Sequence, residues 1–80
     1  MRAATLTSSM IRRIVFDDEA QTLLVCFRSG LRYLYAGVPR AVYDGLRRAG
    51  SAGRFFNEEV RGRYACRADP AQRRYRPTVD

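Results

Sequence analysis

The stretch Leu31-Arg32-Tyr33-Leu34-Tyr35-Ala36-Gly37-Val38-Pro39-Arg40-Ala41-Val42-Tyr43-Asp44-Gly45-Leu46 decides the fold, because its periodicity changes partway along. From Leu31 to Ala36 the side chains alternate. Leu31, Tyr33 and Tyr35 take one side and Arg32 and Leu34 the other, which is the period of a β-strand. Gly37 closes that strand. After Val38, the apolar residues Val42, Tyr43, Leu46 and Ala49 fall at i, i+1, i+4 and i+7, one stripe of an amphipathic helix. Pro39 fits the first turn of this helix, where its missing N–H costs nothing. Arg47 and Arg48 in the last turn suit the helix dipole, and Gly50 is placed as a C′ stop.

Upstream, Met10 to Phe16 reads as a strand, with Ile14 and Phe16 on one face and Arg13 and Val15 on the other. Asp17-Asp18-Glu19 forms an acidic turn, and Thr22 to Phe27 is a second strand. Arg28-Ser29-Gly30 is a short loop in which Gly30 takes positive φ freely. Such close spacing predicts an antiparallel meander of three strands. Downstream, Ser51 offers an N-cap to a second helix that runs to about Val60, with Phe55, Phe56 and Val60 as its apolar stripe and Gly62 as its end. The predicted fold is α+β, in the order β-β-β-α-α, with both helices packed on one sheet face. Leu23, Val25 and Phe27, with Leu31, Tyr33 and Tyr35, are the packed side. The opposite side carries Leu24, Cys26, Arg32 and Leu34. That set is more apolar than a solvated face needs, and a second copy of the chain is one candidate to cover it.

The chain has 80 residues, room for one domain, and 46% apolar residues, too many for a disordered chain. Residues 1–7 are expected to be loose, 8–64 to form the domain, and 65–80 to be a basic disordered tail, since that stretch has two prolines and no apolar periodicity. The net charge is +7, and all 15 basic residues are arginine. The absence of histidine excludes Ser-His-Asp triads and imidazole acid–base chemistry. Cys26 and Cys66 lack metal-ligand spacing, so neither a metal nor a cofactor is expected. No run approaches a membrane span or a signal-peptide core, and the sparse cysteines suit a reducing cytoplasm of bacterial type.

Four constellations bear on function. Tyr33 and Tyr35 project side by side from one strand, as the base-stacking aromatics of RNA-binding sheets do; the competing reading places both rings in the core. Arg61, Arg63, Arg67, Arg73, Arg74 and Arg76 crowd one end of the chain with Tyr64 and Tyr75 interleaved, a pattern that suits phosphate contact and equally suits a solubilising tail. Ser51-Ala52-Gly53-Arg54-Phe55-Phe56-Asn57 resembles a phosphate-holding helix start, but no P-loop pattern accompanies it, and a plain capped helix explains it. Asp17, Asp18 and Glu19 splay outward as a solvated turn, and nothing supplies a base poised near neutral pH.

Together, several segments resemble the KTSC family, named for the C-terminal domain of some lysyl-tRNA synthetases and also found as small stand-alone bacterial proteins. They are Thr7-Ser8-Ser9 with Ile11, Ile14 to Asp17, and Leu23-x-Val25-x-Phe27-x-x-Gly30. They continue with Tyr33-x-Tyr35, Gly37-Val38-Pro39, Val42-Tyr43, Ser51-x-Gly53, Phe56-Asn57 and Val60-Arg61-x-x-Tyr64. The resemblance covers about residues 7–67. It implies mainly structural motif roles for Ser8, Ser9, Tyr33, Tyr35, Pro39, Ser51, Gly53, Phe56 and Asn57. The family has no established function; RNA binding is suggested by its association with the synthetase. The sequence departs from the family pattern at Leu24, Cys26 and Leu34, where polar residues are expected, and at Phe16, where tyrosine is common. The first departure favours self-association.

The expectation is therefore a small non-catalytic domain that binds RNA or another polyanion through Arg54, Arg61, Arg63, Tyr64, Arg67, Arg73, Arg74 and Arg76. The alternative is a protein-interaction or homodimerisation module that uses Leu24, Cys26 and Leu34.

Overall fold

The computed structural model describes residues 1–69. The elements run β1 (Arg2–Thr5), β2 (Ile11–Asp17), β3 (Thr22–Phe27), β4 (Arg32–Ala36), α1 (Arg40–Arg48), α2 (Ala52–Glu59) and β5 (Cys66–Ala68). The strands form one antiparallel sheet in chain order, β1-β2-β3-β4-β5, with the helices inserted before the last strand. The α+β class and the central β-β-β-α-α run are as expected.

The sheet has five strands where three were expected. Residues 2–5 of the supposedly loose N-terminus pair with β2, from Arg2 opposite Phe16 to Thr5 opposite Arg13, and Leu6 beyond them is buried. Arg2-Ala3-Ala4-Thr5 has no apolar alternation to betray a strand. What holds it is the backbone ladder that the exposed side of β2 offers. The same logic applies at the other edge. Cys66–Ala68, expected in the tail, pairs with Tyr33–Tyr35 of β4. Residues 70–80 of the expected tail, with Arg73, Arg74 and Arg76, lie outside the described residues.

The register sets Phe16, Leu23, Tyr35 and Cys66 in one row and Ile14, Val25, Tyr33 and Ala68 in the next. These rows face the helices. Ile11, Ile14, Phe16, Leu23 and Val25 are essentially excluded from solvent, as are Val38, Leu46 and Val60. Leu31 keeps the side expected for it, lining an opening with Tyr33 and Tyr35, but it precedes β4 and is 42% exposed rather than packed. An irregularity at Arg12 shifts the β2–β3 register, so that Ile11 and Ile14 both point inward although three positions apart.

Pro39 takes the N-cap position of α1, one residue earlier than expected, in an extended conformation. The helix ends because Ala49 turns extended, not because Gly50 adopts positive φ. Ser51 does cap α2, its hydroxyl accepting from the Arg54 amide at 3.3 Å. Gly45 permits close approach of the helices, since a Cβ there would collide with the Phe55 ring. Aromatic contacts join the layers. Phe16 stacks on Tyr43 of α1 at 5.7 Å, and Phe56 of α2 sits edge-on against Phe27 at 5.4 Å and Tyr35 at 5.7 Å.

On the outer face, Val15, Leu24 and Leu34 lie side by side and half-buried, with Arg67 completing their row. Cys26 contradicts its expected place in an exposed patch, being only 4% exposed. Arg13 and Arg32 flank it in register, and their aliphatic stems can cover a small thiol. Arg32 is also held by an ion pair to Asp69 at 2.8 Å.

Leu23→Ala should cost about 2–5 kcal/mol in chemical denaturation, the range for emptying a sealed leucine site. Leu24→Ala, on the half-buried outer face, should cost clearly less. Equal losses would contradict this assignment of faces.

Candidate functional site

Two openings flank α2. The first is a polar cleft of about 520 Å³ between the loop before β2 and the α1–α2 connection. Thr7, Ser8, Ser9, Arg47, Ser51 and Gly53 are among its lining residues. It brings together two motifs more than forty positions apart in the chain. Ser8 organises the loop, its hydroxyl accepting from the Met10 amide at 3.0 Å and the Ile11 amide at 3.2 Å. The Arg28 guanidinium fastens the same loop from the turn after β3, donating to the Ser8 carbonyl at 2.9 Å and the Leu6 carbonyl at 3.0 Å. Gly53 lets α2 nestle against this loop: a Cβ there would stand 3.3 Å from Met10 Sδ. The Ser8, Ser51 and Gly53 positions are thus accounted for by turn, cap and close packing.

The second opening is an apolar groove of about 400 Å³ on the helix-facing side of the sheet. Phe56 covers Tyr35, leaving Tyr33 half-buried at the groove wall. Phe27 packs edge-on against the Tyr33 ring at 6.3 Å and fixes its plane. Leu31, Arg61 and Cys66 also line the groove. Among the described residues, its lining holds a guanidinium and no carboxylate. The two tyrosines, equivalent by strand period, therefore differ. Tyr35 is sealed at 5% exposure, while Tyr33 keeps a face toward the groove. Burial first, then the neighbouring Cys66 thiol, push the Tyr35 phenol up to about 12, against a smaller opposing pull from the Arg61 guanidinium.

Arg54, Arg63, Tyr64 and Arg67 are not among the residues that line this groove. Arg54 points along α2 to Glu58 at 3.1 Å, an exposed pair of little energetic weight. Arg63 donates to the Glu58 carbonyl at 2.9 Å. Tyr64 is half-buried against the core and does not line the groove. Arg67 lies in the outer-face row beside Leu34, away from the groove. Among the described residues of the expected binding set, Arg61 is the one that lines the groove with Tyr33. Asn57 is exposed, and Ser51 and Tyr33 line different openings. Asp17 is used locally, its carboxylate accepting from the Glu19 amide at 3.0 Å and the Ala20 amide at 3.2 Å. Asp18 pairs with Arg2 at 3.0 Å. Among the described residues, no helix is long and apolar enough to cross a membrane.

A five-stranded meander with two helices on one face and an opening on either side of the second helix defines a small α+β module. A family model for the KTSC domain matches residues 7–64, and the chain belongs to that family. The matched segment comprises β2 to β4 and both helices; β1 and β5 lie beyond it. An uncharacterised protein of Stutzerimonas stutzeri strain A1501 is 43% identical over 58 residues, 72% of this chain and 82% of that protein. A lysine–tRNA ligase of Nostoc punctiforme is 36% identical over 56 residues, 70% of this chain but only 10% of the ligase. The crystal structure of a KTSC domain protein from Yersinia pestis superposes with a TM-score of 0.80 at 32% identity, covering 85% of this chain and 96% of that one.

The Tyr35 environment makes a pH prediction. Below pH 10 the phenol is protonated in both folded and unfolded chains, and its contribution to stability is fully present. Between pH 10 and about 12 the unfolded chain ionises first, so that contribution is lost as pH rises. Thermal melts across this window should show a steeper fall in Tm for the native chain than for Tyr35→Phe. Parallel curves would contradict the assignment.

Proposed function

We propose that this domain binds RNA, or another nucleic acid strand, without catalysing a reaction, and that the contact surface is the groove edge formed by Tyr33 and Arg61. The observation that carries the reading is the combination at this groove. A half-buried aromatic ring, packed edge-on by Phe27, lines the same groove as a guanidinium with no ion-pair partner among the described residues, and the lining holds no carboxylate among those residues. Charge across the chain supports it. Among the described residues Arg12, Arg13, Arg28, Arg48, Arg63 and Arg67 also lack a carboxylate within ion-pair distance. Such charge attracts a polyanion whatever its sequence. The kinship with a segment of a lysine–tRNA ligase is consistent with an RNA partner.

A second reading has its own observation. Val15, Leu24 and Leu34 make a contiguous half-buried apolar row on the outer sheet face, where a homodimer would find contact area. Here Cys26 is beneath the surface and contributes nothing directly. Light scattering at high concentration separates the two readings: a strict monomer removes the second and leaves the first intact.

For the first reading, anisotropy titrations with a single-stranded RNA pool should show affinity falling steeply from low to moderate salt. Arg61→Ala should weaken binding and flatten the log–log salt slope by about 0.7, the value for one lost contact on a single strand. Absence of binding at low salt, or an affinity indifferent to salt, would overturn it.

A further inference from the structure

We infer that the groove beside Tyr33 is a pocket for one unstacked nucleobase, so that the domain selects single strands over duplex. The inference rests on the nucleic-acid reading above and adds the class of substrate. The pocket is built from both layers. Phe56 and Tyr35 are joined edge-on at its inner side, Phe27 and Tyr33 form an aromatic wall, and Leu31 stands exposed beside them. Its volume of about 400 Å³ lies at the small-ligand end of the range for binding pockets. A flat, apolar ring carrying an anionic tail matches this lining. The ring lies against Tyr33, and the phosphate meets Arg61.

Charge decides between a nucleotide and a purely apolar side chain of a protein partner. An aliphatic occupant would leave Arg61 without a role, whereas a nucleotide uses both the aromatic wall and the guanidinium. Duplex is disfavoured because its bases are stacked and paired, and a base must leave the stack to enter. Stacking on a phenol face is tolerant of base identity, so sequence preference should be weak.

The test compares three labelled probes of equal length in anisotropy titrations: a single-stranded RNA, the same strand in duplex, and the same backbone without bases. The single strand should bind about ten-fold more tightly than the abasic probe, within the range for one stacked base. Tyr33→Ala should reduce the single strand to the abasic level, and Tyr33→Phe should restore it. Equal affinity for the single-stranded and abasic probes, or for single strand and duplex, overturns the pocket while the polyanion reading survives. Failure of every probe to bind removes both. A second readout needs no variant. Titrating the native chain with adenosine monophosphate should move the Tyr33 ring proton resonances upfield and leave those of Tyr43, at the far helix, in place. Unmoved Tyr33 resonances would overturn the proposal.

Discussion

The edge-on seat of Phe56 between Phe27 and Tyr35 decides how much of the sheet the helices cover. An aromatic pair in this geometry contributes beyond the area it buries, and here one ring makes two such contacts at once. Phe56 therefore anchors α2 over the β3–β4 half of the sheet, while the Phe16–Tyr43 stack anchors α1 over β2. Gly45 lets Phe55 come close to α1, and Gly53 lets the start of α2 rest against the Ser8 loop. With α2 held at both ends, its two sides become the two openings. One is polar and internally satisfied by turn and cap bonds; the other is apolar, aromatic and edged by an arginine.

A domain of this size has little stability in reserve, so its surfaces are instructive. Apolar side chains inside are sealed almost completely, yet Tyr33 and Leu31 remain accessible on the same side of the sheet. The chain could have closed that corner with a longer α2. It instead turns back at Gly62, whose positive φ redirects it to pair β5 with β4. The groove is thus a product of where the helix stops. The arginine that lines it, Arg61, sits in the turn that makes the stop.

Much of this fold was legible from residue spacing, and the parts that were not have a common cause. The change of period around Val38-Pro39 marks the passage from sheet to helix, and β3 and the face of α1 follow from it. β1 and β5 were invisible because neither has a pattern of its own. Arg2-Ala3-Ala4-Thr5 and Cys66-Arg67-Ala68 are strands only because the neighbouring strands present open ladders. Cys26 shows the same limit in another form. Alternation assigns it correctly to the outer face, but its near-complete burial cannot be read from its own strand, since its register partners Arg13 and Arg32 belong to other strands. Alternation likewise makes Tyr33 and Tyr35 equivalent, and only the position of Phe56 separates them. The polar cleft joins Thr7–Ser9 to Ser51–Gly53, and its one trace in the sequence was that both segments belong to the family pattern.

The most direct test of this account is a solvent relaxation measurement with a soluble paramagnetic agent on the aromatic ring protons of the native chain. The account predicts strong enhancement at Tyr33 and near-complete protection at Tyr35 and Phe56, with cross-relaxation between the last two rings. Similar enhancement at both tyrosines, or no contact between Phe56 and Tyr35, would contradict it.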